Sequence, residues 1–493
     1  MRAAAASRAS ERAMPSRRAV FCPAARLALL SLVAALPAAG QGDPSAWRNA
    51  RPEQPTVLVV RDATIWTSGP QGRLEEADLL VRSGRVAAVG IDLEAPAGAL
   101  EIDAAGKHVT AGLIDAHSHT AIEGGVNEGT HVVTAEVRIA DVVQAGSINI
   151  YRQLAGGLTV ANMLHGSANA IGGQSGVIKL RWGAPPNELL MTEAAPGIKF
   201  ALGENPKRSN FKQDEPRYPK TRMGVEQVIR ERFRAALDYR RRWQEFRAGS
   251  GRDRVPPRRD LQLEALVEIL EGRRDVHSHS YRADEILMLM RVAEDLGFRI
   301  RCFQHVLEGY KVADEIAAHG AGASTFSDWW AYKYEVIDAI PYNGAIMADR
   351  GVVVSFNSDN SELARRLNLE AAKAVRYGGM AEEEALELVT LNPAIQLGAD
   401  ERIGSLEPGK DADFVIWSGS PLSTYSIVEQ TWIDGRRYFD RAEDLALRQV
   451  IAAERATLLK KARAKPDLDE APEEPREEPE PPQPGNRAAG GGS

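Results

Sequence analysis

The chain has 493 residues, 44% of them hydrophobic and 26% charged, with a formal net charge of -7. That length exceeds one small domain and suits a barrel of about 250 residues with a satellite domain. Acidic and basic residues are interleaved, which argues against nucleic acid as a partner. The two cysteines, Cys22 and Cys302, exclude cysteine metal sites and disulfide scaffolds.

In chain order, Arg2, Arg8, Arg12, Arg17 and Arg18 precede the apolar run Leu27 to Leu36 and the small residues PAAGQG. Basic, then apolar, then small is the order of a secretory signal, here over 1–40, and predicts export to a periplasm or the medium. The apolar run is too short for a stable anchor across a bilayer core of about 30 Å. A polar linker, 41–55, leads into short alternating strands over 56–109, where Ser83-Gly84 is a hairpin signal. The segment 402–440 has the same character, with Asp434-Gly435 as its tight turn. These two segments enclose everything else and predict one small β-sandwich domain built from both flanks.

Between them, over 110–401, buried apolar runs such as VIKL, GIKFAL, RIRCF and GVVVSF alternate with amphipathic helical patterns. The expectation is an α/β fold, a (β/α)8 TIM barrel, with chemistry at the carboxyl ends of its strands. The cationic stretch Arg230 to Arg259 carries interspersed Glu and apolar residues and suits a solvated helix face. A helix over 441–464 precedes a Pro- and Glu-rich tail, 465–493. The tail is too poor in apolar residues to repay its ordering entropy, so disorder is expected.

The sharpest signal is GLIDAHSHT, Gly112 to Thr120. Residues i and i+2 of a strand face one side, so His117 and His119 can grip one ion, and neutral imidazole suits zinc and similar divalent metals. In NMLHGSANAIGGQSG, small residues let backbone approach a ligand, making His165, Asn169 and Gln174 candidate substrate contacts beside a plain tight-turn role. Tyr281 and Arg282 follow the second His-x-His, in DVHSHSYR. An arginine there could hold a substrate carboxylate bidentately, or simply open a solvated helix. The aromatics of ASTFSDWWAYKYEVIDAIPY could wall a pocket or pack helices.

The first motif, together with GSLEPGKDADFVIW near the other end, resembles the amidohydrolase superfamily, and the resemblance runs from about Thr56 to Phe439. The branch most similar in pattern holds imidazolonepropionases and prolyl dipeptidases. The resemblance implies a metal site of His117, His119, one histidine of the fifth strand, His305 of the sixth and Asp359 of the eighth. Between His277 and His279 the sequence leans to His277, keeping His279 as a substrate contact or alternative ligand. Two-metal members bridge their ions with a carboxylated lysine; Lys199 has the setting, and Lys179 competes. Asp359 would then be the general base and acid for metal-activated water. Family deaminases carry a Glu three residues after the fifth-strand histidine; here Ser280 or Arg282 stands there, which favours amide hydrolysis over deamination. The expected function is therefore an exported C–N hydrolase using one or two divalent ions, zinc first. Its substrate would be a short peptide or other small molecule, with homo-oligomerisation left open. A one-metal lactam or cyclic-amide hydrolase and a non-catalytic barrel scaffold are the alternatives.

Overall fold

A computed structural model describes residues 52–209, 217–249, 255–329 and 332–464. The expected signal segment, most of the linker and the acidic tail lie outside the described residues.

The chain opens with β1 (Val57–Trp66), β2 (Arg73–Arg82), β3 (Arg85–Gly90), β4 (Leu100–Asp103) and β5 (His108–Ala111). The central strands are β6 (Leu113–Ser118), β7 (Leu158–Met163), β8 (Ile171–Gln174), β9 (Gly176–Lys179) and β10 (Gly197–Ala201). They continue as β11 (Asp275–His279), β12 (Ile300–Gln304), β13 (Gly322–Thr325) and β14 (Val354–Phe356). Finally β15 (Phe414–Trp417), β16 (Val428–Ile433) and β17 (Arg436–Asp440) precede a helix, Arg441–Arg463.

Both flanks meet in one eight-stranded sheet, ordered β17-β16-β15-β5-β1-β2-β3 with β4 on β1. Its register joins Phe414 to Ala111 and Trp417 to His108, so the first and last parts of the fold share a ladder. Alternation buries Leu58, Val60, Leu79, Val81, Val109, Phe414 and Ile416 in a core of their own. The β2–β3 and β16–β17 turns each pair a left-handed residue with a glycine, Ser83-Gly84 and Asp434-Gly435, as a twist-matched hairpin requires. The turns lie back to back: a Cβ on Gly435 would come within 2.9 Å of the Gly84 Cα.

The central strands form a TIM-barrel-type arrangement with mixed sheets. Strands β10 to β14 run parallel in sequence order, and β6 and β7 are a second parallel pair. Between these groups the chain runs the other way. Strand β8 is antiparallel to β10 and β9 antiparallel to β7, so the third barrel position is filled by a reversed strand pair. Strands β7 and β10 are buried along their whole length, consistent with helices outside and packed side chains inside. The helix Ala283–Leu296 shows why such a wrap forms: Ile286, Leu289, Met290 and Ala293 make a buried stripe, and Gly297 ends it in the left-handed region. The cationic stretch forms much of a 27-residue helix, Arg222–Ala248, capped by Thr221 accepting from the Gly224 N–H. Among the described residues no helix is long and apolar enough to cross a membrane.

Lys179 ends β9 beneath the flanking sheet, where it ion-pairs with Asp411 at 2.8 Å, Asp413 at 2.9 Å and Asp434 at 2.7 Å. Arg181 shares Asp434 and Arg402 shares Asp411. The competing lysine of the sequence reading is thus a fastener between barrel and flanking sheet, outside the histidine cluster.

Candidate active site

The carboxyl ends of the parallel strands bring the chemistry together. His117 is the last residue but one of β6 and His119 follows the strand; Lys199 is central in β10; His305 follows β12, and Asp359 follows β14. The His119 Nε2 lies 3.1 Å and the His117 Nε2 3.6 Å from Asp359 Oδ1, with the His305 Nε2 3.7 Å from Asp359 Oδ2. Ring centroids of His117 and His305 are 4.1 Å apart.

Two of the three rings are oriented from behind. His117 Nδ1–H donates to Gln304 Oε1 at 3.1 Å, and His119 Nδ1–H donates to the Leu164 carbonyl at 2.9 Å. Both bonds fix the tautomer whose Nε2 presents a lone pair toward Asp359. His305 is buried with neither ring nitrogen hydrogen-bonded, while Phe326 stacks on it at 4.8 Å and Trp329 on Phe326 at 4.3 Å. His305 and Asp359 hold positive φ, 62° and 44°, a strained conformation for side chains larger than glycine and one concentrated at functional sites.

The electrostatics fit a cation. Burial first, then the charge of Lys199, holds His117 well below its ordinary pKa; His279 follows the same pattern. His305 is also held well below, chiefly by burial. These rings are therefore neutral and able to ligate. Burial pushes Asp359 up, but the neighbouring His305, His119 and Lys199 outweigh it and hold the carboxyl below the usual range. Lys199, fully buried with its Nζ 3.1 Å from His117 Nε2, is lowered by burial to about 7, so much of it is free amine near neutrality. The ligand atoms of His117, His119 and Asp359 lie within 4.8 Å of one another. Two ligands of a tetrahedral zinc stand about 3.4 Å apart. The observed separations and the unpartnered His305 nitrogens accept such an ion.

A solved amidohydrolase of Thermotoga maritima is 34% identical, with a TM-score of 0.72, over 78% of this chain and 100% of that one. The chain belongs to the amidohydrolase family. The profile described as Amidohydrolase family matches residues 333–438. Amidohydrolase tasK of Hapsidospora irregularis is 31% identical over 426 residues, 78% of this chain. An imidazolonepropionase of Thermoplasma volcanium is 31% identical over 174 residues, 34% of this chain. The chain spans less than half the length of these two curated relatives, 43% and 42%.

Within this amidohydrolase the remaining candidates separate. His279 stands at the mouth, its ring 5.1 Å from His305 and 4.5 Å from Tyr281, with Nδ1 unpartnered. His277 lies one alternation deeper in β11; its Nδ1 accepts from Gln304 Nε2 at 3.4 Å, and its ring lies 3.2 Å from where a Cβ on Gly197 would sit. Of the two fifth-strand histidines, His279 is the one whose ring adjoins His305. His165 has both nitrogens occupied: Nδ1–H donates to the Gly166 carbonyl and Nε2 accepts from the Glu128 N–H, leaving its carbonyl to receive Lys199 at 3.3 Å. His165 is therefore a loop anchor. Gln174 donates to the Ala135 carbonyl and lines a groove with Glu136, Arg138 and Arg274, outside the cluster. Asn169 likewise braces a loop, donating to the Glu128 and His131 carbonyls. Arg282 is correctly a helix N-cap position, but it turns outward to Asp284 at 2.9 and 3.0 Å. It does not face the histidines. Tyr281 does: its oxygen accepts from the Tyr332 O–H at 2.6 Å, and burial pushes its phenol well up.

Two participants, Gln304 and Lys333, were not singled out by sequence, and a third, Asp115, counted there only as part of the His-x-His motif. Gln304 orients two histidines at once. Asp115 accepts from the Ser358 N–H at 3.0 Å and Oγ–H at 2.5 Å and from the His117 N–H at 3.3 Å, tying β14's end to β6. Asp359 N–H then donates to the His117 carbonyl at 3.1 Å. Lys333 lies 4.3 Å over the Tyr281 ring. Asp115 was quotable inside the first motif, and its distance of two residues from His117 was the available cue.

Proposed function

We propose that this amidohydrolase cleaves a C–N bond of an amide or short peptide with metal-activated water, and that it is exported. The carrying observation is the convergence of the His117 and His119 lone pairs on Asp359, with the unpartnered nitrogens of His305 beside them. His117, His119, His305 and Asp359 would hold the ion, with His279 as the fifth-strand member. A divalent ion, zinc first, supplies Lewis acidity that makes hydroxide available near neutral pH and polarises a carbonyl. Lys199, partly free amine, is suited to carbamate formation by carbon dioxide and so to holding a second ion.

The chain's own groups then do the following. Asp359, ionised, takes a proton from the attacking water and returns it to the leaving nitrogen. Tyr281 accepts from Tyr332, which frees its own O–H to donate to a substrate oxygen. Phe326 and Trp329 wall His305 and exclude water from that side. Gln304 and the Leu164 carbonyl keep the imidazoles in the ligating tautomer. The accompanying fold is a closed (β/α)8 barrel bearing a β-sandwich.

The test is metal-reconstituted protein screened with dipeptides, N-acyl amino acids and lactams. Hydrolysis that disappears in Asp359→Asn is expected, and an inert, fully metal-loaded protein would sink the reading. Near two ions per chain supports the Lys199 bridge; near one removes it and favours the cyclic-amide alternative.

A further inference from the structure

The only charge the sequence offered for a substrate carboxylate, Arg282, is paired outward with Asp284. A different cation occupies the mouth. Lys333, in the loop after β13, places its Nζ 4.3 Å over the ring of Tyr281, and that ring touches His279 at 4.5 Å and His305 at 6.1 Å. The amine is held at this spot by two contacts. It donates to Asn205 Oδ1 at 3.4 Å and lies 3.3 Å from Glu335 Oε2, a fully buried carboxylate that also pairs with Arg222 at 3.0 Å. Asn205 connects the amine to the cluster, since its Nδ2 is 3.3 Å from His279 Nε2.

An ammonium has three donors, and these two partners do not exhaust them. Tyr281 and Tyr332 both lie under the charge, at 4.3 and 5.9 Å, which favours the cation electrostatically without neutralising it. An amide carbonyl bound at the histidines would carry a carboxylate three bonds further on, if the leaving part is an α-amino acid. Lys333 lies one ring, that of Tyr281, beyond His279 and His305. Tyr281 and Tyr332 leave an apolar floor between the two positions, which suits the aliphatic part of the same molecule.

We propose that Lys333 determines specificity by recognising a carboxylate on the leaving side of the scissile amide. The preferred substrates are then dipeptides or N-acyl amino acids with a free C-terminus. This assignment rests on the hydrolytic reading above for its substrate, but the cation site can be tested without turnover. The probe is 4-oxopentanoate, an N-acetylglycine with CH2 in place of NH, against its neutral partner 4-oxopentanamide. Calorimetry on wild type should show the acid binding about 10- to 100-fold tighter, the range of a hydrogen bond to a charged group. In Lys333→Gln that ratio should fall towards one, and Lys333→Arg should recover part of it. In parallel, kcat/KM for dipeptides and for their C-terminal amides should show the same ratio in wild type, lost through KM in Lys333→Gln. Equal binding of acid and amide by wild type, or a ratio unchanged in Lys333→Gln, overturns the proposal. Discrimination in binding with no turnover of any dipeptide leaves Lys333 as the carboxylate site and refutes the hydrolytic reading instead.

Discussion

Replacing the two buried lysines one at a time separates what fastens this protein from what reacts in it. Lys179→Met keeps most of the side-chain volume and removes the cation from three carboxylates. Asp434 retains Arg181 at 2.6 Å and Asp411 retains Arg402 at 3.0 Å. Asp413 has, among the described residues, no second cation within 4 Å, so it is the group left uncompensated. Breaking a buried pair by removing one partner costs about 3–5 kcal/mol. Two arginines stay in place, and burial already pushes Asp413 up to about 6, so protonation limits the damage. The expected loss is therefore about 3 kcal/mol at pH 7.5. It should shrink towards pH 5.5, because a neutral Asp413 no longer needs the lysine. Urea unfolding followed by tryptophan fluorescence at the two pH values measures both quantities. Metal content and turnover at 20 °C should stay as in wild type, since Lys179 faces the flanking sheet. A loss below about 1 kcal/mol would refute the fastening argument, as would a loss independent of pH; departure of metal would place Lys179 in the site. Lys199→Met should give the opposite pattern, with metal content falling and the fold retained.

Other expectations follow from the same contacts. Asp115→Asn keeps the shape but weakens the acceptor for Ser358 and His117, so Asp359 should lose its placement. Metal affinity is expected to fall about 10- to 100-fold by competition with a chromophoric chelator, while an unchanged affinity would count against that tie. The pH behaviour of metal-free protein tests Lys199. Its folded pKa, about 7, lies below the 10.5 of an ordinary lysine, so between these values the unfolded chain binds the extra proton. Stability should rise as pH goes from about 7 towards 10 and be flat in that window for Lys199→Met. Phe326→Ala removes the ring stacked on His305 and should cost about 3–5 kcal/mol in unfolding experiments. A cost under about 1 kcal/mol would mean the aromatic wall is not packed as described.

Much of the candidate site was legible because its residues sit on strands or just past their carboxyl ends, where alternation of two helps fix which side chains share a face. His117 and His119 needed only that rule, and Asp359 followed a clear buried run, GVVVSF. The same rule could not separate His277 from His279, because both face inward; what differs is depth, a rise of about 6.6 Å along β11. That depth is read from neighbours, Gln304 of the next strand below and Tyr281 above, whose positions the alternation does not give. Arg282 and Gln174 failed for a related reason. Their partners, Asp284 and the Ala135 carbonyl, settle the side-chain direction, and only the first was close enough in sequence to have been noticed. Lys333 was hidden among aromatics that read equally well as packing. The reversed strand pair β8–β9 was invisible, since a buried strand looks alike in either direction.

The ladder joining β5 to β15 also sets an order of assembly. Ala111 must wait for Phe414, about three hundred residues later, before its outer edge is covered. A chain emerging from the ribosome would hold β1 to β5 as a half-finished sheet with a sticky rim throughout synthesis of the barrel. Synthesis of β15 therefore seals that rim, and a chain stopped just short of residue 414 would present a ready template for aggregation.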